Sequence, residues 1–305
     1  MTLFDQLGLL QTEGINPNTV EIDAASTLGV VRLLHNEDVA VAAAVGLVLQ
    51  DIALAVDVVA AALAGGGRLI YVGAGTSGRL GILDASEMPP TYGTHPDVVQ
   101  GVIAGGRDAV FRSVEGAEDS AHAGAEAVSA LVITQADVVC GITASGRTPF
   151  VLGALEQAKT AGAKTILVST NTRDVVEMFC KSADIYICPV VGPEPISGST
   201  RMKSGTAQKM VLNMISTAAM VRMGKTYGNV MVDLQTSNEK LRERAKRIVM
   251  SIGSVSYEEA SAILRSAGGN VKCSIIMAKR RCSFEEARSL LEAAGGFVRS
   301  ALENN

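Results

Sequence analysis

The stretch RLIYVGAGTSGRLGILDASEMPP, residues 68–90, decides how this chain is read. A short apolar run ends in Gly73, hydroxyl residues and two more glycines follow, and an apolar helical pattern then begins. That order is a buried strand, a tight turn and a helix, the unit from which parallel sheets are wound. Gly73, Gly75 and Gly78 stand in G-x-G-x-x-G order, so the turn suits a dinucleotide or a phosphate equally: glycine lets backbone approach an anion, and a helix N-terminus offers unpaired N–H groups.

The unit recurs downstream. Short β-rich runs at 98–105, 137–143, 165–169 and 184–190 alternate with helical stretches, which predicts an α/β fold built on a doubly wound, five-stranded parallel sheet. Composition agrees. Over 305 residues the chain is 48% hydrophobic but only 4% aromatic with no Trp, as expected of helices packed on a buried sheet.

Upstream, residues 17–64 read as helical, with a cap at Ser26-Thr27 and a break at Asn36-Glu37-Asp38, and Gly65-Gly66-Gly67 ends them. Downstream of the sheet a long helix is expected over 201–224. From Ser237 onward the pattern is helical, with Gly268-Gly269 and Gly295-Gly296 as breaks, predicting an appendage of three or four helices packed on the main domain. The expected organisation is an N-terminal helical segment, 1–57, an α/β domain that carries the hydroxyl-rich turns, 58–235, and a C-terminal helical domain, 236–305.

Several functions are disfavoured. A net charge of −4 gives no field to attract nucleic acid, and the basic run Lys279-Arg280-Arg281 reads as a solvated helix end. Five cysteines, never in C-x-x-C spacing, signal neither a disulfide framework nor a zinc site and fit a reducing cytoplasm. The start of the chain lacks the pattern of a secretion signal, and the apolar region 39–67 is interrupted by Gln50, Asp51 and Asp57, so no membrane partner is expected. His35, His95 and His122 show no metal-ligand spacing.

In a parallel sheet the loops after the strands gather along one edge. The first loop supplies Gly75, Thr76 and Ser77, and the third supplies Thr143, Ser145, Gly146 and Thr148. Two hydroxyl loops at equivalent positions point to a phosphate held by neutral, directional hydrogen bonds. The dinucleotide reading weakens, because the second run ends in Ile-Ala-Gly-Gly without the acid that would hold a ribose, and a Walker-type Gly-Lys-Ser/Thr is missing. A third segment, 197–205, places Ser199, Arg201 and Lys203 at the start of the long helix, as a cap with solvated bases or as a source of positive charge. Glu87 stands where an apolar helix meets Pro89-Pro90 and is expected to end; Glu115 and Glu118 follow the second strand. Placement alone does not separate a positioned acid from a cap or a surface group.

The segments GRLIYVGAGTSGRLGILDASEMPPTYG, VEGAEDS, GITASGRTPF and GSTRMKSGTAQKMVLNMISTAAM together resemble the N-acetylmuramic acid 6-phosphate etherase family, within the sugar isomerase (SIS) domain group. The resemblance covers nearly the whole chain. Met88, Phe150 and Gly29 depart from the family pattern without touching its chemistry. It implies a flavodoxin-like SIS fold, cleavage of the D-lactyl ether of the phosphosugar by elimination and hydration, no metal or nicotinamide cofactor, and a homodimer with its site near the interface. It further implies Glu87 and Glu118 as the catalytic carboxylates, and Gly75, Thr76, Ser77, Ser145, Gly146 and Thr148 as substrate-binding, with Ser199 and Lys203 beside them. A phosphosugar isomerase and a non-catalytic phosphosugar sensor are the competing readings.

Overall fold

The five β-rich runs form short parallel strands: β1 (Leu69–Gly73), β2 (Val99–Ile103), β3 (Val138–Ile142), β4 (Lys164–Val168) and β5 (Ile185–Ile187). They pair in the order β2-β1-β3-β4-β5, so the chain leaves β1 first to one side and then to the other, and the β1 and β3 ends lie together at the point of reversal. The structure, a computed structural model, describes residues 2–234 and 239–303. Residues 235 to 237, where the last domain and its helical pattern were expected to begin, lie outside the described residues.

The helices are α1 (Leu3–Gly8), α2 (Thr27–Gly46), α3 (Leu49–Ala64), α4 (Gly75–Tyr92), α5 (Asp108–Phe111), α6 (Ala121–Ser129), α7 (Pro149–Thr160), α8 (Arg173–Phe179) and α9 (Lys203–Arg222). The chain divides into two compact units, Met1–Ser86 with Asp97–Ser216, and Glu87–Pro96 with Thr217–Asn305. The first holds the parallel sheet. β1 and β3 are buried at every position, as continuous apolar runs in a sheet covered on both faces should be. Ile70, Val72, Val139 and Leu167 from the strands pack with Val151, Leu155 and Ala158 of α7.

The second unit carries a two-stranded hairpin, β6 (Thr226–Tyr227) and β7 (Val230–Met231), then α10 (Glu239–Gly253), α11 (Tyr257–Ser266), α12 (Val271–Arg280), α13 (Phe284–Ala293) and α14 (Val298–Glu303). Val249, Ile275, Ile276, Ala287 and Val298 form its core. Among the described residues it has more helices than the three or four expected, because a further break falls at Ser254 (φ 57°); another falls at Arg281 (φ 54°), at the helix end that the basic run had marked. Both are left-handed positions that no glycine marks in the sequence.

Two boundaries also differ. α2 runs unbroken through Asn36-Glu37-Asp38, because Glu37 turns inward and takes hydrogen bonds from Asn16 Nδ2 at 2.6 Å, Asn18 Nδ2 at 2.8 Å and Lys203 Nζ at 2.6 Å. α4 continues through Pro89 and Pro90 to Tyr92. The prolines lie in its last turn, where only their own two N–H bonds are forfeited, and Gly93 N donates to Pro89 O at 3.0 Å. Among the described residues no single helix is long and apolar enough to cross a membrane.

Candidate active site

Gly73 ends β1 opposite Ile142, the last residue of β3, so the two hydroxyl loops leave the sheet side by side. A Cβ on Gly73 would stand 2.6 Å from Gly78 N, and the tight return of the chain therefore requires glycine there. Gly75 opens α4 with φ +52°. Thr76 and Ser77 consequently occupy the first turn of α4, where backbone N–H groups are unpaired. Ser77 Oγ donates to Gln208 Oε1 of α9 at 2.8 Å, with both residues buried.

The loop after β3 is fixed from within and from behind. Thr143 Oγ1 bonds Thr148 Oγ1 at 2.8 Å, Gly146 N donates to Thr143 Oγ1 at 3.3 Å, and Arg147 N donates to Ser145 Oγ at 3.3 Å. Behind it, Ala144 O accepts from Ser169 Oγ at 3.0 Å, Thr170 N and Oγ1 at 3.1 Å each, and Asn171 Nδ2 at 3.0 Å. Gly146 adopts φ +77°, and a Cβ there would stand 2.8 Å from Val176 Cγ2. Its need for glycine thus arises from the turn and its packing. Pro149 then starts α7 in the first-turn position that tolerates a missing N–H.

Between the loops lies a cavity of about 260 Å³. Thr76, Ser77, Ser145 and Thr148 line it together with Gly75 and, from the far side, Glu118. Thr12, Glu13, Gly198 and Thr200 also line it, with Thr143; the sequence had marked Thr143 for its loop and Gly198 and Thr200 within the segment 197–205, but neither Thr12 nor Glu13. Gln11 N, held by Asn171 Oδ1 at 2.6 Å, anchors the segment that carries Thr12 and Glu13, a tie across the chain that no local motif announces. Gln208, behind Ser77, was invisible for the same reason: in sequence it is one polar residue of a long helix. Among the described residues the lining offers hydroxyls, backbone N–H groups and two carboxylates, but no Lys or Arg.

Glu118 sits at the left-handed turn opened by Gly116 (φ 73°). Partial burial, and then the charges of Asp119 and Glu115, push its pKa above the ordinary glutamate value. A carboxyl shifted this way is a better proton acceptor when ionised and stays protonated to higher pH than an ordinary glutamate, as a group that exchanges a proton with substrate should. Lys203 is placed otherwise. Its ammonium is buried and donates to Glu37 Oε2, and its backbone N donates to Glu194 Oε2 at 2.8 Å, so it presents no charge to the cavity. Ser199 is half-buried and Gly146 lies behind the loop; neither lines the cavity. Glu87 is exposed on α4 and is not among the residues that line the cavity. Among the described residues no group of three or more His, Cys, Asp or Glu is placed to hold a metal ion.

A parallel sheet in this strand order, with paired hydroxyl loops around a cavity at its point of reversal, defines an SIS-type domain. Residues 51–159 match the glucokinase regulatory protein N-terminal SIS domain. The chain is 55% identical over 277 residues to an N-acetylmuramic acid 6-phosphate etherase of Salinibacter ruber, covering 90% of this chain and 88% of that one. It is 56% identical over 271 residues to the etherase of Symbiobacterium thermophilum, covering 89% of each. The chain belongs to the N-acetylmuramic acid 6-phosphate etherase family. Among solved structures, a phosphoheptose isomerase from Francisella tularensis is 18% identical, with a TM-score of 0.48 over 63% of this chain and all of that one.

Proposed function

We propose that this chain cleaves the D-lactyl ether of N-acetylmuramic acid 6-phosphate, releasing D-lactate and leaving N-acetylglucosamine 6-phosphate. One observation carries the reading beyond family membership: an acid with a raised pKa, Glu118, lines the same cavity as four hydroxyl residues on two adjacent loops. Thr76, Ser77, Ser145 and Thr148 bind the phosphate, and Gly75 lets the backbone approach it.

With the phosphate so held, C2 and C3 of the open-chain sugar lie toward Glu118. The C1 aldehyde acidifies the C2 proton, a carboxylate removes it, and the electron pair forms the C2=C3 double bond as the C3–O bond breaks. The departing lactate oxygen takes a proton from a carboxylic acid. Water then adds across the double bond, its hydroxyl to C3 and a proton to C2, which restores the sugar. Glu118 is one of the two carboxylates. Glu87 is the other; exposed and absent from this copy's cavity lining, it is assigned to the cavity of a second copy in a homodimer. Gly146 shapes the loop after β3, and Lys203 ties the start of α9 to Glu37 and Glu194, with Ser199 in the turn that precedes it. The five free thiols favour work in the reducing cytoplasm.

The test is release of D-lactate from N-acetylmuramic acid 6-phosphate by the purified protein. Wild type is expected to release it without added nicotinamide. Glu118→Gln and Glu87→Gln are each expected to lose turnover by at least about a hundredfold while still binding N-acetylglucosamine 6-phosphate. A wild-type protein that isomerises the phosphosugar and frees no lactate would overturn the reading.

A further inference from the structure

We infer that a second, smaller cavity beside Glu118 seats the lactyl group and that Arg79 receives its carboxylate. The inference rests on the etherase reading above and adds a specificity residue to it. The cavity, about 160 Å³, shares Ala74, Gly75 and Glu118 with the hydroxyl-lined one, so the raised carboxyl stands on the boundary between the two. Arg79 lines only the smaller one.

Arg79 lies in the first turns of α4, two residues after Ser77. Its Nε donates to Val110 O at 3.0 Å and its Nη2 to Arg112 O at 3.2 Å. These bonds occupy one edge of the guanidinium and hold the side chain against the loop after β2. The other edge, formed by Nη1 and the remaining Nη2 hydrogen, has no hydrogen-bond partner among the described residues, and no carboxylate there forms an ion pair with Arg79. Glu115, also on the cavity wall, is exposed and accepts from Ser113 Oγ at 2.9 Å. A half-buried guanidinium fixed by backbone carbonyls, with a two-pronged edge to spare, is a receptor for a planar carboxylate.

The substrate's own geometry supplies that carboxylate in the right direction. Its phosphate is on C6 and its ether on C3, with the reacting carbons between the phosphate and the end of the lactyl arm. Phosphate between the hydroxyl loops and C2 at Glu118 send the arm past Glu118, into the second cavity. The uncharged N-acetyl group has a single carbonyl oxygen and cannot form the two-pronged ion pair, and a phosphosugar that carries no acid arm leaves this cavity unused. Arg79 also keeps hold of the acid as the C3–O bond breaks, which steadies the departing oxygen.

The experiment compares wild type and Arg79→Gln on two substrates: N-acetylmuramic acid 6-phosphate and the analogue whose lactyl acid is a carboxamide. On the acid, kcat/KM is expected to fall about 10- to 100-fold in the variant. On the carboxamide, wild type and variant are expected to be equally slow. Binding of N-acetylglucosamine 6-phosphate, which has no lactyl arm, is expected to be unchanged and shows that the variant is folded. Equal losses on both substrates, weakened binding of the armless sugar, or a carboxamide turned over as fast as the acid by wild type would each overturn the assignment. A wild type that frees lactate from neither substrate would instead sink the etherase reading itself.

Discussion

Ser77 Oγ donates its proton to Gln208 Oε1 at 2.8 Å, while the Nε2 of the same buried amide has no partner among the described residues. In that orientation Ser77 offers an incoming phosphate only a lone pair. Turned over, the amide would donate Nε2–H to Ser77 Oγ and free the hydroxyl proton for a phosphate oxygen. Gln208 is therefore a positioning residue. Gln208→Glu, which cannot donate when ionised, should raise KM and weaken inhibition by inorganic phosphate by about tenfold with kcat little changed. An unaltered KM would show that Ser77 needs no such help.

Glu118 supplies a prediction in pH. Burial raises its pKa first, and the neighbouring charges of Asp119 and Glu115 raise it further. Removing either charge favours the ionised form, so Glu115→Gln and Asp119→Asn should each move the Glu118 limb of the kcat/KM profile to lower pH. The direction is the same whether that limb reports a base that must be ionised or an acid that must be protonated. A profile that stays in place would mean that another group sets the limb.

A composite site makes the two inactive variants complementary. In a homodimer whose cavities each take Glu118 from one copy and Glu87 from the other, mixing unfolded Glu87→Gln and Glu118→Gln chains and refolding them gives mixed dimers with one intact site. Random pairing predicts about a quarter of wild-type activity from two inactive parents. Recovery of none would place both acids on one copy's site or deny the dimer.

Lys203 should behave as a structural residue. Its ammonium and the Glu37 carboxylate are both nearly buried, and removing one leaves the other charged and unpaired. Lys203→Met is expected to cost about 3 to 5 kcal/mol in denaturant unfolding of the sheet-bearing unit, with part of the loss recovered by adding Glu37→Gln. Burial opposes ionisation of Glu37, but hydrogen bonds from Lys203, Asn18 and Asn16 outweigh it and hold its pKa below the ordinary value. The stabilisation is therefore present above the unfolded-state pKa and is lost as pH falls through the lower, folded one. Loss of phosphate binding at full stability would contradict this role.

What could be read from sequence follows from how far each interaction reaches. The strands at 69–73 and 138–142 were legible because a buried parallel strand is a continuous apolar run, and the hydroxyl loops because they follow those strands directly. Asn36-Glu37-Asp38 looked like a break because the partner that turns Glu37 inward, Lys203, is 166 positions away. Thr12, Glu13 and Gln208 reach the site through ties of the same kind, which no local pattern records. Ser254 hid a helix end, since it is not the glycine that usually marks a left-handed residue, whereas Arg281, also left-handed, closes the helix end that the basic run 279–281 had marked. Arg79 stood in plain view within the opening motif, but only the carbonyls of Val110 and Arg112 reveal which edge of it is left over.

Among the described residues the hydroxyl-lined cavity has no cation of its own. Its grip on a phosphate is therefore a matter of shape and direction, with no opposite charge for dissolved ions to mask. Affinity at that end should therefore not fall from dilute buffer to concentrated sodium chloride, and screening of Glu13 and Glu118 would raise it, whereas sulfate, which copies the tetrahedral outline, should compete.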